Sequence, residues 1–351
     1  MKNLCIENKI IGPNHDPFLI AEISANHRKD IKRVYKLIDA AASAGFDAIK
    51  VQTYTADSIT LRSNKKDFKI LDRKSIWYSK SLYDIYTKGS LPWSWHKKLK
   101  NYCTKKKIIF FSTPFDESAV DLLEKLDVPL YKVSSFEITH YPLLKKIAQT
   151  KKPVIISTGM ATKKEIQLAL KTLYKNGAKK IILLRCNSSY PAPLKESNLI
   201  TIKDMSKIFK TNIGLSDHTI GSINAISAIS LGATVIEKHV TVSKNDGALD
   251  SIFSLEIKDF KSFVQNCKNA KKIIGKVYYG PSNREKHSLK FRRSIYVSKK
   301  IMKGEKITKN NIKIVRPALG LKIKFYEKIL GMRVKKNMNI ADIPKIQFLK
   351  K

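Results

Sequence analysis

Eight short apolar runs recur along the chain, and each gives way to a burst of polar or charged residues. The runs are FLIAEISANH (18–27), AIKVQT (48–53), IIFFSTPFD (108–116), LYKVSSFE (130–137), VIISTG (154–159), IILLRCNSSY (181–190), NIGLSDH (212–218) and VIEKH (235–239). Near-continuous runs rich in Val and Ile predict strands buried on both faces. Amphipathic stretches long enough for one helix separate most of them, for example Ile31–Ala44 and residues 163–176 and 222–231. Eight strand–helix units are the pattern of an α/β fold closed as a (β/α)8 TIM barrel, which takes roughly 250 residues and carries its active site where the strands end. The polar bursts all fall at that end, so the pattern is that of an enzyme.

Two stretches break the rhythm. Residues 54–92 hold Asp57, Asp67, Phe68, Trp77, Tyr83 and Tyr86 before a helix opens near Pro92. A connection that long in a barrel is usually functional, which makes it a candidate lid or substrate-facing insert. After a last barrel helix over 257–274, Gly275, Gly280 and Pro281 end the pattern. The expected organisation is a barrel domain over 1–280, a polar linker over 281–290 and a small β-rich domain over 291–351.

Composition adds a charge puzzle. Lys plus Arg number 68 against 29 acids, a net charge of +39. The lysines are spread over nearly every helical segment, which reads as solvated faces with a diffuse field that draws in anions. A basic nucleic-acid-binding protein is the rival from another class; it requires a clustered positive face and steep salt dependence. The expectation here is no nucleic acid partner. The four cysteines lack CxxC spacing, and no run approaches the ~20 apolar residues of a membrane span, so no membrane partner and a cytoplasmic, reducing setting are expected. Cys186 stands in a polar burst as a ligand or nucleophile candidate, against a plain small buried residue.

The chemistry concentrates at the strand ends. His218 and His239 end consecutive predicted strands ~4.8 Å apart, so both imidazoles reach one point above the barrel. Two neutral imidazoles hold a divalent cation with positions left open, and a labile Mn-type ion suits them better than structural zinc; two hydrogen-bonded core histidines are the plainer alternative. Lys50 and Lys132, with the hydroxyls of Thr113, Ser135, Ser157, Ser188, Ser189 and Ser216, form a set suited to phosphate or carboxylate oxygens. Glu22, Glu137, Asp217 and Asp250, with Gln52 and Tyr190, suit a polyhydroxyl ligand and proton transfer.

The segments IAEISANH, DAIKVQTYTAD, YKVSSFE, ISTGMAT, NSSYPAP, GLSDHT, IEKHVT and FRRSIYV, in this order, resemble the sialic acid synthase family over essentially the whole chain. ISANH, LYDIYTKGSLPWSWH and NDGALDSIFSLE are similar to its pseudaminic acid synthase branch. The resemblance implies a barrel followed by an antifreeze-like (SAF) domain in a domain-swapped homodimer. It implies condensation of phosphoenolpyruvate with an open-chain N-acetylated amino sugar, here 2,4-diacetamido-2,4,6-trideoxy-L-altrose, to pseudaminic acid and phosphate. N-acetylneuraminate or legionaminate synthesis from a different sugar is the alternative, and a Schiff-base aldolase using Lys132 or Lys238 is a more distant one.

Residue by residue, the resemblance makes His218 and His239 ligands of a divalent metal, Mn or else Co or Mg. It puts Lys50, Thr113, Lys132, Ser135, Ser157, Ser188 and Ser216 around phosphoenolpyruvate, and Glu22, Gln52, Tyr190 and Asp250 toward the sugar. Glu137 becomes an acidic group near the reacting centre, and Arg316 an arginine offered to the partner's site. The sequence departs from family habit at RKD after His27, at GALD before Ser251 and at NMNIADIPKI, which bears on loop shape and sugar preference.

Overall fold

The computed structural model describes residues 3–350 apart from Lys74 and Ile76, two positions of the 54–92 insert. A short hairpin, β1 (Leu4–Ile6) and β2 (Lys9–Ile11), precedes eight parallel strands. These are β3 (Phe18–Glu22), β4 (Ala48–Thr53), β5 (Ile109–Pro114), β6 (Tyr131–Val133), β7 (Val154–Ser157), β8 (Ile181–Cys186), β9 (Asn212–Asp217) and β10 (Val235–Thr241). They pair in sequence order, and β10 closes on β3 through five residue pairs from Val235↔Phe18 to His239↔Glu22. All eight apolar runs are therefore barrel strands.

Helices follow as the patterning predicts: α1 (Ile31–Ala44) after β3, α4 (His96–Lys105) before β5, then α5 (Glu117–Lys125), α6 (Tyr141–Gln149), α7 (Lys163–Lys175), α8 (Thr201–Phe209), α9 (Ile223–Ser230) and α10 (Phe260–Ile274). Local chemistry sets their ends. Asp30 caps α1 through the Lys32 amide, Gly45 closes it with φ +91°, and Thr162 with Glu165 forms a capping box on α7.

Strand alternation divides the core in two. Residues facing out, such as Leu19, Ala21, Ile49, Val51, Phe110 and Ile156, pack against the helices. Residues facing in, Phe18, Ile20, Ala48, Ile109, Phe111, Leu130, Ile155, Ile182, Leu184 and Val235, fill the barrel, and Leu4, Ile6 and Ile11 of the hairpin join them. Each inward column is thus apolar low in the barrel and turns polar at the strand's end. Gly214 is forced by the fit: a Cβ there would stand 2.3 Å from the Val235 carbonyl and 2.6 Å from Leu184 Cδ2.

The insert is more ordered than a loop. It holds α2 (Ala56–Ile59), opened by a Thr55/Ser58 capping box, and α3 (Leu82–Gly89), capped by Ser81. A two-residue strand, β11 (Leu255–Glu256), pairs beside β10.

The chain divides into two compact units, with the change at Gly275/Lys276. The second unit contains a 3-10 turn over Glu285–Phe291 and the antiparallel pair β12 (Ser294–Val297) with β13 (Ile312–Val315). A single helical turn, α11 (Tyr326–Ile329), precedes a second pair, β14 (Arg333–Val334) with β15 (Leu349–Lys350). Ile295, Val297, Ile301, Ile307, Ile312, Ile329, Val334, Met338 and Leu349 form a core of its own. Among the described residues no helix is long and apolar enough to cross a membrane.

Candidate active site

Period-two alternation carries Glu22, Lys50, Gln52, Thr113, Lys132, Ser157, Cys186, Ser216, Glu237 and His239 to the inward side of the strand ends. They meet at the bottom of a cavity of about 310 Å³. Its floor is an ion-pair cluster. Lys50 Nζ lies 2.9 Å from Glu22 Oε2 and 3.5 Å from Glu237 Oε1, and Lys132 Nζ lies 3.6 Å from that same Glu237 oxygen. Lys50 donates to Thr113 Oγ1 at 3.0 Å, Lys132 to Ser157 Oγ at 2.7 Å, and Ser216 Oγ to Glu237 Oε1 at 3.2 Å. All four ionisable groups are buried. Burial would raise the Glu237 carboxyl, but Lys132, Lys50 and His218 outweigh it and hold it below its usual range. For Lys132 burial wins, with Lys50 adding to it, and the ammonium is pushed below its ordinary value despite Glu237.

Beside the floor stand the two histidines, ring centroids 5.1 Å apart and planes at 69°. His218 Nδ1 donates to the Asn187 carbonyl at 2.7 Å, which leaves Nε2 as the ring nitrogen open to a ligand; burial alone would lower its pKa, but Cys186 and the Asn187 carbonyl outweigh it and raise it. His239 Nδ1 is buried without a hydrogen-bond partner and lies 3.9 Å from Asp250 Oδ2. Burial, then the positive groups around it, hold His239 well below the usual histidine range, so it is a neutral ring. Two free imidazole nitrogens, one of them an unpaired buried atom, fit a divalent cation. Among the described residues no group of three or more His, Cys, Asp or Glu could hold an ion.

On the opposite side of the floor, two residues past the end of β7, stands Gly159, whose amide donates to Ser135 Oγ at 3.0 Å. A Cβ at Gly159 would stand 2.2 Å from Ser188 Oγ and 2.8 Å from Ser135 Oγ, so only glycine leaves this cradle of hydroxyls open. Toward the mouth, Gln52 Nε2 donates to Glu22 Oε1 at 3.0 Å and to Ser24 Oγ at 2.9 Å. Asp250 Oδ2 accepts from the Ala25 amide at 3.2 Å. Tyr190 packs 4.4 Å from the His218 ring and 5.2 Å from Phe253, and it touches Trp77 of the insert at 6.1 Å. Glu137 accepts from Ser134, and burial raises its carboxyl.

The cavity thus brings together Lys50, Gln52, Thr113, Lys132, Ser135, Glu137, Ser157, Tyr190, Ser216, His218, His239 and Asp250, with Glu22 beneath and Ser188 at the cradle. Arg316 is exposed in the second unit. Two expectations change. Asp217 does not face the cavity: it alternates outward and accepts from Lys238 Nζ at 2.7 Å, Thr219 and Asn224. That pairing also takes Lys238 out of the barrel, away from any imine chemistry inside it. Ser189 is exposed, while its neighbour Ser188 turns in.

Glu237 and Cys186 line the cavity as well, although the sequence pattern points to neither as strongly as to its neighbours. In VIEKH the same alternation that turns His239 inward turns Glu237 inward, and that period was the available signal. Cys186 Sγ lies 3.8 Å from His218 Nδ1; burial pushes its thiol up, but His218, Ser135 and Lys132 pull it back further, to about 7.

Comparison with known proteins agrees with this architecture. A protein from Helicobacter pylori named pseudaminic acid synthase is 41% identical over 91% of this chain and 94% of its own length. A Campylobacter jejuni protein named N,N'-diacetyllegionaminic acid synthase is 38% identical over 91% of this chain and 96% of its own. The crystal structure of N-acetylneuraminic acid (sialic acid) synthetase from Leptospira borgpetersenii, in complex with citrate, superposes with a TM-score of 0.73 at 30% identity, covering 83% of this chain and 96% of that one. Residues 37–279 match the NeuB family and residues 292–343 the SAF domain. The chain belongs to the NeuB family, a barrel synthase followed by a SAF domain.

Proposed function

We propose that this chain condenses phosphoenolpyruvate with open-chain 2,4-diacetamido-2,4,6-trideoxy-L-altrose to give pseudaminic acid and phosphate. The observation that carries the reading is the floor, two buried lysines with their hydroxyl partners set against two adjacent buried histidines, in a chain 41% identical to a pseudaminic acid synthase. Lys50, Thr113, Lys132, Ser157 and Ser216 hold the anionic ends of phosphoenolpyruvate, and Ser135 and Ser188 contribute from the Gly159 cradle. Lysines supply charge and hydroxyls supply direction, the combination that fixes a phosphate and a carboxylate at once. Gln52, Tyr190 and Asp250 orient the sugar, with Glu22 holding Gln52.

The C3 methylene of phosphoenolpyruvate forms the new bond to the aldehyde carbon with the electrons of its C2=C3 double bond, the aldehyde oxygen takes up a proton to become a hydroxyl, and positive charge develops at C2. Water adds there, its proton passing to Glu137, a carboxyl that burial raises and so makes a stronger base, and replacing the one the aldehyde oxygen took up. The tetrahedral intermediate then loses phosphate by C–O cleavage. Holding both reactants in one cavity supplies up to ~7–11 kcal/mol of the barrier in favourable cases. His218 and His239 would hold a divalent cation, Mn or else Co or Mg, which when bound supplies Lewis-acid polarisation of the aldehyde oxygen.

The active form in this reading is a domain-swapped homodimer in which Arg316 reaches the partner's cavity. Six exposed apolar residues on the segments after β6 to β9, Phe136, Met160, Leu194, Ile200, Ile220 and Ile223, support a covering partner at the mouth. Phosphoenolpyruvate is a cytoplasmic metabolite, so the reaction belongs in the cytoplasm. The test is phosphate release from phosphoenolpyruvate against a panel of amino sugars: the trideoxy altrose, its legionaminate-type isomer and N-acetylmannosamine. Fastest turnover of the first is expected. Preference for another sugar moves the chain to that branch, and no release with any refutes the synthase reading.

A further inference from the structure

The cavity has two unlike sides. Its floor is charged and hydroxyl-rich, but the insert lines it with Ile59, Ile70, Trp77, Leu82, Ile85 and Tyr86. The aliphatic four offer neither donor nor acceptor. This wall begins one ring from the reacting centre: Trp77 touches Tyr190, which packs on His218. It is braced from below, since Tyr86 meets the buried Tyr54 edge-on at 6.0 Å and Tyr54 meets Phe115 at 5.1 Å. Gly89 at the end of α3 leaves no room for a side chain, with Tyr54 Oη 2.7 Å from the place of its Cβ. The wall is therefore held by packing at both ends, so its shape is preset.

Such a wall treats sugar substituents unequally. A hydroxyl turned toward aliphatic carbon loses its water partners and gains nothing in return, whereas a methyl group gains burial. We propose that the apolar face of the insert is the specificity determinant for the amino sugar, reading its end remote from the aldehyde as a deoxygenated methyl carbon. The inference rests on the synthase reading above and says which surface sets its substrate. It also assigns a role to residues 54–92, whose length alone marked them as functional.

The magnitude follows from pockets of this type, which discriminate one methylene by roughly 10–200-fold and an added hydroxyl by about 10²-fold. The experiment uses the full chain and two 2,4-diacetamido sugars that differ only at C6, methyl against hydroxymethyl. The expected kcat/KM ratio favours the methyl sugar by about 10²-fold. Ile70→Asn and Ile59→Asn are each expected to bring the ratio below ~10, mainly through loss on the methyl sugar, while Ile70→Val keeps it. The KM for phosphoenolpyruvate, measured in parallel, reports whether the floor is intact in each variant. Equal use of both sugars by the parent chain overturns the proposal without any variant, as does equal loss on both sugars in both Asn variants. If the parent releases phosphate with neither sugar nor any other, the synthase reading itself has failed and this inference with it.

Discussion

Among the described residues Glu237 is the counter-ion that pairs with both floor lysines, and Glu237→Gln removes its charge at nearly constant volume. Lys50 keeps Glu22 at 2.9 Å, but Lys132 is left with hydrogen bonds only, to Ser157 and the Val133 carbonyl. At 3.5 and 3.6 Å each contact has a Coulomb energy of about 4–5 kcal/mol for an effective dielectric constant near 20. Part of that is offset because the amide no longer carries the desolvation cost of a buried carboxylate. Measured losses on breaking a buried pair are about 3–5 kcal/mol, which is the expected destabilisation. At roughly 2–3 °C per kcal/mol for a domain of this size, the Tm of the barrel falls by roughly 6–15 °C. Thermal unfolding followed by far-UV circular dichroism reads it. A second arm sharpens the test: inorganic phosphate or phosphoenolpyruvate, taking over as counter-ion, raises the variant's Tm more than the parent's. A variant within about 1 kcal/mol of the parent, or one that anions do not selectively rescue, refutes the shared-counter-ion account.

Three further outcomes follow from the same geometry. Lys132→Met lowers kcat/KM for phosphoenolpyruvate by roughly 10–150-fold, the equivalent of one charge-assisted hydrogen bond, with the sugar KM little changed; unaltered kinetics for phosphoenolpyruvate puts the anion elsewhere. Chelator abolishes turnover and added Mn, Co or Mg restores it, while full activity of a His218→Ala, His239→Ala double variant in chelator removes the metal role. His27 and His96 are each depressed to about 4 from 6.5, chiefly by burial. The unfolded chain therefore binds more protons between those values, and stability falls as pH drops from 6.5 toward 4, by about 2 kcal/mol per histidine at pH 5. Denaturant midpoints measured across that window check the slope, and a flat profile overturns it.

The barrel was legible because its signal is local and repeated: eight buried runs, each short, with a helix of the right period between most of them. The functional ends were legible for the same reason, since polar residues at a strand's end have few structural uses. Which face each residue takes was harder. Ser216, Asp217 and His218 are all polar, and only strict alternation shows that the middle one leaves for Lys238 and the helix layer. The insert's short helices leave no period to read, because they are set by a capping box at Thr55 and Ser58 and a cap at Ser81 and have too few turns. In the second unit, pairs such as Arg333↔Lys350 join residues distant in sequence, so no local window contains both partners.

The one-for-one pairing of ammonium and carboxylate groups beneath the cavity has a kinetic meaning in a chain of net charge +39. Paired charges cancel at a distance, so the floor contributes little to the field that an approaching anion feels. That field comes from exposed lysines, and at physiological ionic strength it fades over about 8 Å. Once inside, the anion is held by short, directed contacts that salt barely reaches. Added salt should thus lower the capture rate and leave the residence time nearly unchanged. In the proposed reading the surface lysines set how often phosphoenolpyruvate arrives, and Lys50 and Lys132 with their hydroxyl partners set how long it stays.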